Sequence, residues 1–301
     1  MSPAPLLILA PPCSGAEVWA ARLHAAGAYA LPTLHRFLAD RLDDWRALLA
    51  LSQQPLDHAL LRVLAEVFEG GQDEAALARA RARLAARPGR EGAEPLLRDL
   101  AAGVAPRRLV LVEVDAPSRP ADLRRLAEAL PAATVLQLLR HPWTQGRLQH
   151  HLLADRLFIP ADVKDHAVEP PRLDPQLGWW RAHHNLDQRL RPHWPAARWW
   201  VVDEAAGEAA LDALAARLGL ATPLPAAAAA WPAWPFAGWG PRSAPYGGEE
   251  EPRSPDPVLA RLRAEPPAPF DQPLPWRADG RAFAPEVVAL YRRLEAAARA
   301  Q

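Results

Sequence analysis

Five short runs along the chain are almost continuously apolar: Leu6–Ala10, Ala28–Leu31, Leu109–Glu113, Thr134–Leu139 and Arg198–Val202. Runs of this length without polar alternation predict strands buried on both faces. The segments between them change period. Ala16–Ala26, Phe37–Leu51, Leu56–Gly70, Glu74–Arg87, Pro120–Leu130, Glu208–Leu218 and Pro285–Ala300 place apolar residues three and four apart, the spacing of one helix face. Strands alternating with helices predict an α/β fold built on a central, mainly parallel five-stranded sheet flanked by helices. Ala221–Pro275 breaks the pattern with Pro, Gly and three tryptophans, Trp231, Trp234 and Trp239. That composition predicts an ordered segment wrapped over a single domain spanning residues 1–301, not a free linker.

Composition narrows the function. Half of the 301 residues are hydrophobic, and 35 basic residues balance 35 acidic ones. Zero net charge argues against a protein that mainly holds nucleic acid or anionic lipid. The single cysteine, Cys13, excludes a disulfide framework and a cysteine-rich zinc module. No apolar run approaches the roughly 20 residues of a membrane span, and Leu6–Ala10 lacks the basic start of a signal peptide. The expectation is a cytoplasmic protein. Lys164 is the only lysine, so lysine chemistry elsewhere is absent.

The richest chemistry follows the first strand. Leu6–Ala20 reads as a strand, a tight loop and a helix start, an arrangement whose free N–H groups and helix dipole suit an anion. It is not a Walker A loop, since it has no Gly-Lys-Ser/Thr. Its Ala-Pro-Pro-Cys-Ser resembles the opening Ala-Pro-Pro-Arg-Ser of a bacterial branch of the sulfotransferases that use 3′-phosphoadenosine 5′-phosphosulfate (PAPS). Leu136–Pro142 resembles that family's strand ending in Arg-His-Pro, and Leu31–Phe37 its Leu-Pro-Glu-Leu segment. Gly178–Leu190, Gly240–Gly248 and Pro273–Arg277 with Asp279-Gly280 resemble three later segments, in the same order. The resemblance implies a P-loop-like three-layer fold and transfer of a sulfuryl group from PAPS to an acceptor hydroxyl. The acceptor would be a small molecule or a carrier-bound chain, with no nucleic acid, membrane or metal involved. It carries over Ser14, Gly15, Arg140 and Arg242 as donor-binding residues, with Arg140 on the 3′-phosphate. His35 and His141, in segments bordering that cleft, are the candidate bases.

The departures fall on the same chemistry. The family's loop cation is Cys13 here, its two threonines are Ala16 and Glu17, and its later serine is Leu148. Catalysis is therefore expected to be weakened or lost, with a non-catalytic binding protein as the alternative. Ser14-Gly15-Ala16-Glu17 also spells a capping box, in which Ser14 bonds the N–H of Glu17 and Glu17 bonds that of Ser14. In that arrangement Glu17 supplies the helix's own anion and closes the site; with Glu17 turned outward, the loop stays open to PAPS. The first is the preferred expectation. Four further features have structural explanations that outweigh functional ones: a buried Cys13 over a nucleophile, core packing of Trp143 over stacking on adenine, unlinked pairs at His150-His151 and His183-His184, and a solvated arginine face on Ala75–Arg87.

Overall fold

The computed structural model describes residues 3–34, 41–51, 58–154, 163–204, 208–236 and 257–300. Its centre is a five-stranded sheet of β1 (Leu6–Leu9), β2 (Tyr29–Ala30), β3 (Leu109–Glu113), β4 (Thr134–Leu139) and, last in sequence, β7 (Trp199–Asp203). All pairings in it are parallel, in the order β2-β3-β1-β4-β7. The continuous apolar runs are explained by burial: every residue of β1 and β3 is buried. The expected α/β architecture is observed. A small antiparallel pair, β5 (Lys164–Asp165) with β6 (Arg172–Leu173), lies outside this sheet.

Helices flank the sheet. They are α1 (Ala16–Ala25), α2 (Leu42–Leu51), α3 (His58–Leu64), α4 (Glu74–Ala85), α5 (Ala93–Gly103), α6 (Pro120–Ala129), α7 (Pro142–Leu153), α8 (Pro175–Asn185), α9 (Glu208–Arg217), α10 (Ala227–Ala233), α11 (Pro257–Ala264) and α12 (Pro285–Arg299). Five of them begin with proline, which fits the first helical position because its missing N–H would be unbonded there anyway. None of the described helices is long and apolar enough to cross a membrane. The segment Ala221–Pro275 is not simply a loop, since α10 and α11 lie within it. Arg22 of α1 donates to the Pro225 carbonyl at 2.8 Å, and the Trp234 indole donates to Ala30 at 3.3 Å. Trp239 lies outside the described residues. Buried side chains from Leu6 to Leu294 form one contiguous core.

The strand order positions the site. From β1 the chain crosses to β2 on one side, and from β3 it crosses to β4 on the other. In open parallel sheets a ligand crevice forms at the carboxyl ends of the strands where the order reverses. Here that is the edge carrying the loops after β1, β4 and β7.

Candidate functional site

Two residues with left-handed backbone, Cys13 (φ 66°) and Gly15 (φ 85°), turn the chain from β1 into α1. Such a φ is natural for glycine and uncommon for cysteine, so the loop is held by more than local preference. Gln145 and Gln149, one turn apart on α7, both donate to the Pro12 carbonyl, at 2.7 and 2.9 Å. Gly15 is the N-cap of α1, and its carbonyl accepts from Val18 and Trp19 at 3.0 and 3.2 Å.

This placement overturns the capping box. With Gly15 as N-cap, Glu17 is the second helical residue and not the third, so the reciprocal geometry is lost. Ser14 Oγ accepts from the Ala16 amide at 3.4 Å. The Glu17 carboxylate reaches across to the Thr33 amide beyond β2, at 3.2 Å. The amides of Gly15 and Glu17 have no protein acceptor among the described residues.

A different carboxylate occupies the site. Arg140, directly after β4, is 5% exposed and donates through Nε and Nη2 to the two oxygens of Glu204, directly after β7. Its Nη1 donates to the Cys13 carbonyl, so all three guanidinium nitrogens are engaged. The neighbours are set by sheet register. Leu139 lies opposite Asp203 in the parallel pair β4–β7, and the next residue on each strand is Arg140 and Glu204. The pair rests on Gly15. A Cβ built there would lie 2.8 Å from Arg140 Nη2 and 3.2 Å from Glu204 Oε1. The glycine thus serves both the turn and the close approach of the ion pair. The Arg140 carbonyl in turn accepts from the Trp179 indole at 3.0 Å.

The thiol of Cys13 is pushed up to about 11 by burial, against the opposing charges of Arg140 and Arg263. It is protonated at neutral pH and a poor nucleophile. His141 is the N-cap of α7, and its Nδ1 accepts from the Trp143 amide at 3.2 Å. Its ring stacks on Phe270 at 4.9 Å and meets the edge of Tyr291 at 4.7 Å. Burial lowers it to about 4. With Nδ1 accepting, the neutral ring carries its proton on Nε2 and has no free lone pair for a base in this arrangement. His35 and Arg242 lie outside the described residues.

The remaining sequence candidates have structural partners. Trp143 is buried against Trp276, with ring centroids 6.1 Å apart. His183 is buried beside Gln137 at 3.1 Å, while His184 stacks on Trp180 at 4.5 Å, so the adjacent pair points two ways. On the arginine-rich α4, Arg79 and Arg83 share Glu69, and Arg87, two residues beyond its end, pairs with Glu91 and Asp99. No cluster of three potential metal ligands occurs among the described residues. Sequence reading missed Glu204, Gln145 and Gln149. For Glu204 the available signal was its place just past the last strand, at the edge that also carries Arg140.

No protein-family model matches the chain, and no curated protein does. Solved structures do. The sulfotransferase domain from the Synechococcus PCC 7002 olefin synthase superposes with a TM-score of 0.65 at 19% identity, over 98% of this chain and 95% of that one. The sulfotransferase domain from the curacin biosynthetic pathway gives 0.60 at 16% identity, over 97% and 98%. The fold is therefore that of sulfotransferase domains. At these identities the likeness fixes the architecture, not the activity.

Proposed function

We propose that this is a sulfotransferase-family protein whose donor cleft lies at the Ser14–Gly15 loop and Arg140, and whose capacity for sulfuryl transfer is weakened or lost. The ancestral reaction is in-line attack of an acceptor hydroxyl on the sulfur of PAPS. The sulfur–oxygen bond to the phosphate breaks, adenosine 3′,5′-bisphosphate leaves, and the hydroxyl proton passes to a base. One observation carries the reading of weakness: Arg140, the residue the resemblance puts on the 3′-phosphate, is already bound to Glu204. Rate in such a reaction comes largely from fixed positive groups aimed at the departing charge. Here the loop position is a protonated thiol, and the nearby arginine is neutralised. The lone pair that His141 would need to act as base is spent on a helix cap.

The same geometry favours the second reading, a non-catalytic protein that binds a ligand through the cleft. Open amides at Gly15 and Glu17 still offer donors to an anion. Calorimetric titration with adenosine 3′,5′-bisphosphate, paired with a labelled-PAPS transfer assay, tests both. The expected result is heat only at about 0.1–1 mM nucleotide, an affinity of roughly 4–6 kcal/mol. Turnover should fall far below the ~1 s⁻¹ at the lower end of ordinary enzymes. Micromolar binding with rapid transfer would make it an active enzyme. No heat at millimolar ligand would remove the donor cleft.

A further inference from the structure

We infer that Glu204 is a specificity-determining residue of this cleft: its carboxylate stands where a second anionic group of the ligand would sit, so a 3′-phosphate adds no affinity and the site does not favour 3′,5′-bisphosphates over nucleotides with one anionic end. The inference rests on the reading of the cleft as a nucleotide site and departs from what the resemblance implies about the ligand. A planar guanidinium grips a carboxylate or a phosphate through the same two-pronged edge. In Arg140 that edge is filled by Glu204, and the third nitrogen is held by Cys13. With Arg140 95% buried, it presents no second edge to solvent. A 3′-phosphate must therefore either displace Glu204 or lie against it, and like charges in contact oppose binding.

The pair belongs to the fold, not to a chance rotamer. In-register neighbours on β4 and β7 deliver the two side chains, and Gly15 beneath them is the only residue type that leaves room. Glu204 is also a third exposed, at 35% of its side chain, so its outer side faces solvent. The arginine–glutamate pair sums to zero charge. One anionic end of a nucleotide would then be met by the open amides of Gly15 and Glu17. A 5′-phosphate or 5′-phosphosulfate is one such end; a bisphosphate has two.

Equilibrium binding of adenosine 5′-monophosphate and adenosine 3′,5′-bisphosphate, to the wild type and to Glu204→Gln, decides the matter. The wild type should bind the two within about threefold, and Glu204→Gln should favour the bisphosphate by about tenfold or more, as expected of a freed arginine–phosphate contact. If Glu204→Gln melts too early to measure, Glu204→Ser opens the same space, and the wild-type ratio stands on its own. A wild type that already prefers the bisphosphate tenfold would overturn the inference and leave the donor cleft standing. So would a Glu204 variant with no gained preference. Silence of both proteins toward both nucleotides at millimolar concentration would overturn the cleft itself.

Discussion

Asp174→Ala should lower stability by about 2–4 kcal/mol, the sum of a lost helix cap and an unsatisfied buried donor, below the full range for an unpaired buried charge. Asp174 is 1% exposed and serves four donors at the start of α8: the Gln176 amide at 3.3 Å, Gln176 Nε2 at 3.0 Å, the Trp276 indole at 3.0 Å and Arg277 at 2.6 Å. Its loss would strip α8 of its cap, leave a buried indole N–H unbonded and remove the best-buried partner of Arg277. Asp165 and Asp279 would still hold that arginine, at 3.4 and 2.6 Å, which keeps the cost short of an isolated buried charge. The closing segment is fastened here. Trp276 also fills the space above Gly146 of α7, where a Cβ would lie 2.4 Å from the ring. Urea unfolding measures the effect. A loss under 1 kcal/mol would mean the closing segment is held elsewhere.

Acid should destabilise the protein well before its carboxylates are protonated. Burial lowers His24 and His141 to about 4 and His183 to about 3, from an ordinary 6.5. Each of these rings is neutral in the fold and takes up a proton when unfolded. Their contribution is therefore intact above pH 6.5, and it is lost as pH falls from 6.5 toward 4. The slope is at most about 1.4 kcal/mol per pH unit for a ring, reached by the fully buried His183 and trimmed by solvent screening for the part-buried His24 and His141, so two units below 6.5 would cost several kcal/mol of a typical 5–15. At about 2 °C per kcal/mol, the melting temperature should fall by more than 10 °C between pH 7 and pH 4.5. His183→Gln should flatten that fall, since Gln137 and the Trp179 ring enclose His183. A melting temperature constant over this range would show that the three rings are not held neutral by the fold.

Much of the fold was readable because burial on both faces leaves an unbroken apolar run, as in Leu109–Glu113. Helix α7 was not, because Gln145 and Gln149 occupy buried positions in order to hold the loop after β1, and this breaks the apolar stripe. The α1 cap was misjudged by one residue. The left-handed turns at Cys13 and Gly15 are tertiary in origin, and they shift the helix start past Ser14. Arg140 was legible from its motif, whereas Glu204, 64 residues later, becomes its partner only through the register of β4 on β7. The capping-box expectation placed a carboxylate of this loop on Glu17, whereas the carboxylate bonded to Arg140 is that of Glu204.

The most direct measurement is a double-mutant cycle on stability with Arg140→Ala, Glu204→Gln and the combination. Because Glu204 is about one-third exposed, solvent screening trims the pair, and the predicted coupling is about 1–2 kcal/mol. A coupling under about 0.3 kcal/mol, the error of additivity for residues that do not touch, would contradict it: Arg140 would then be free to take a phosphate.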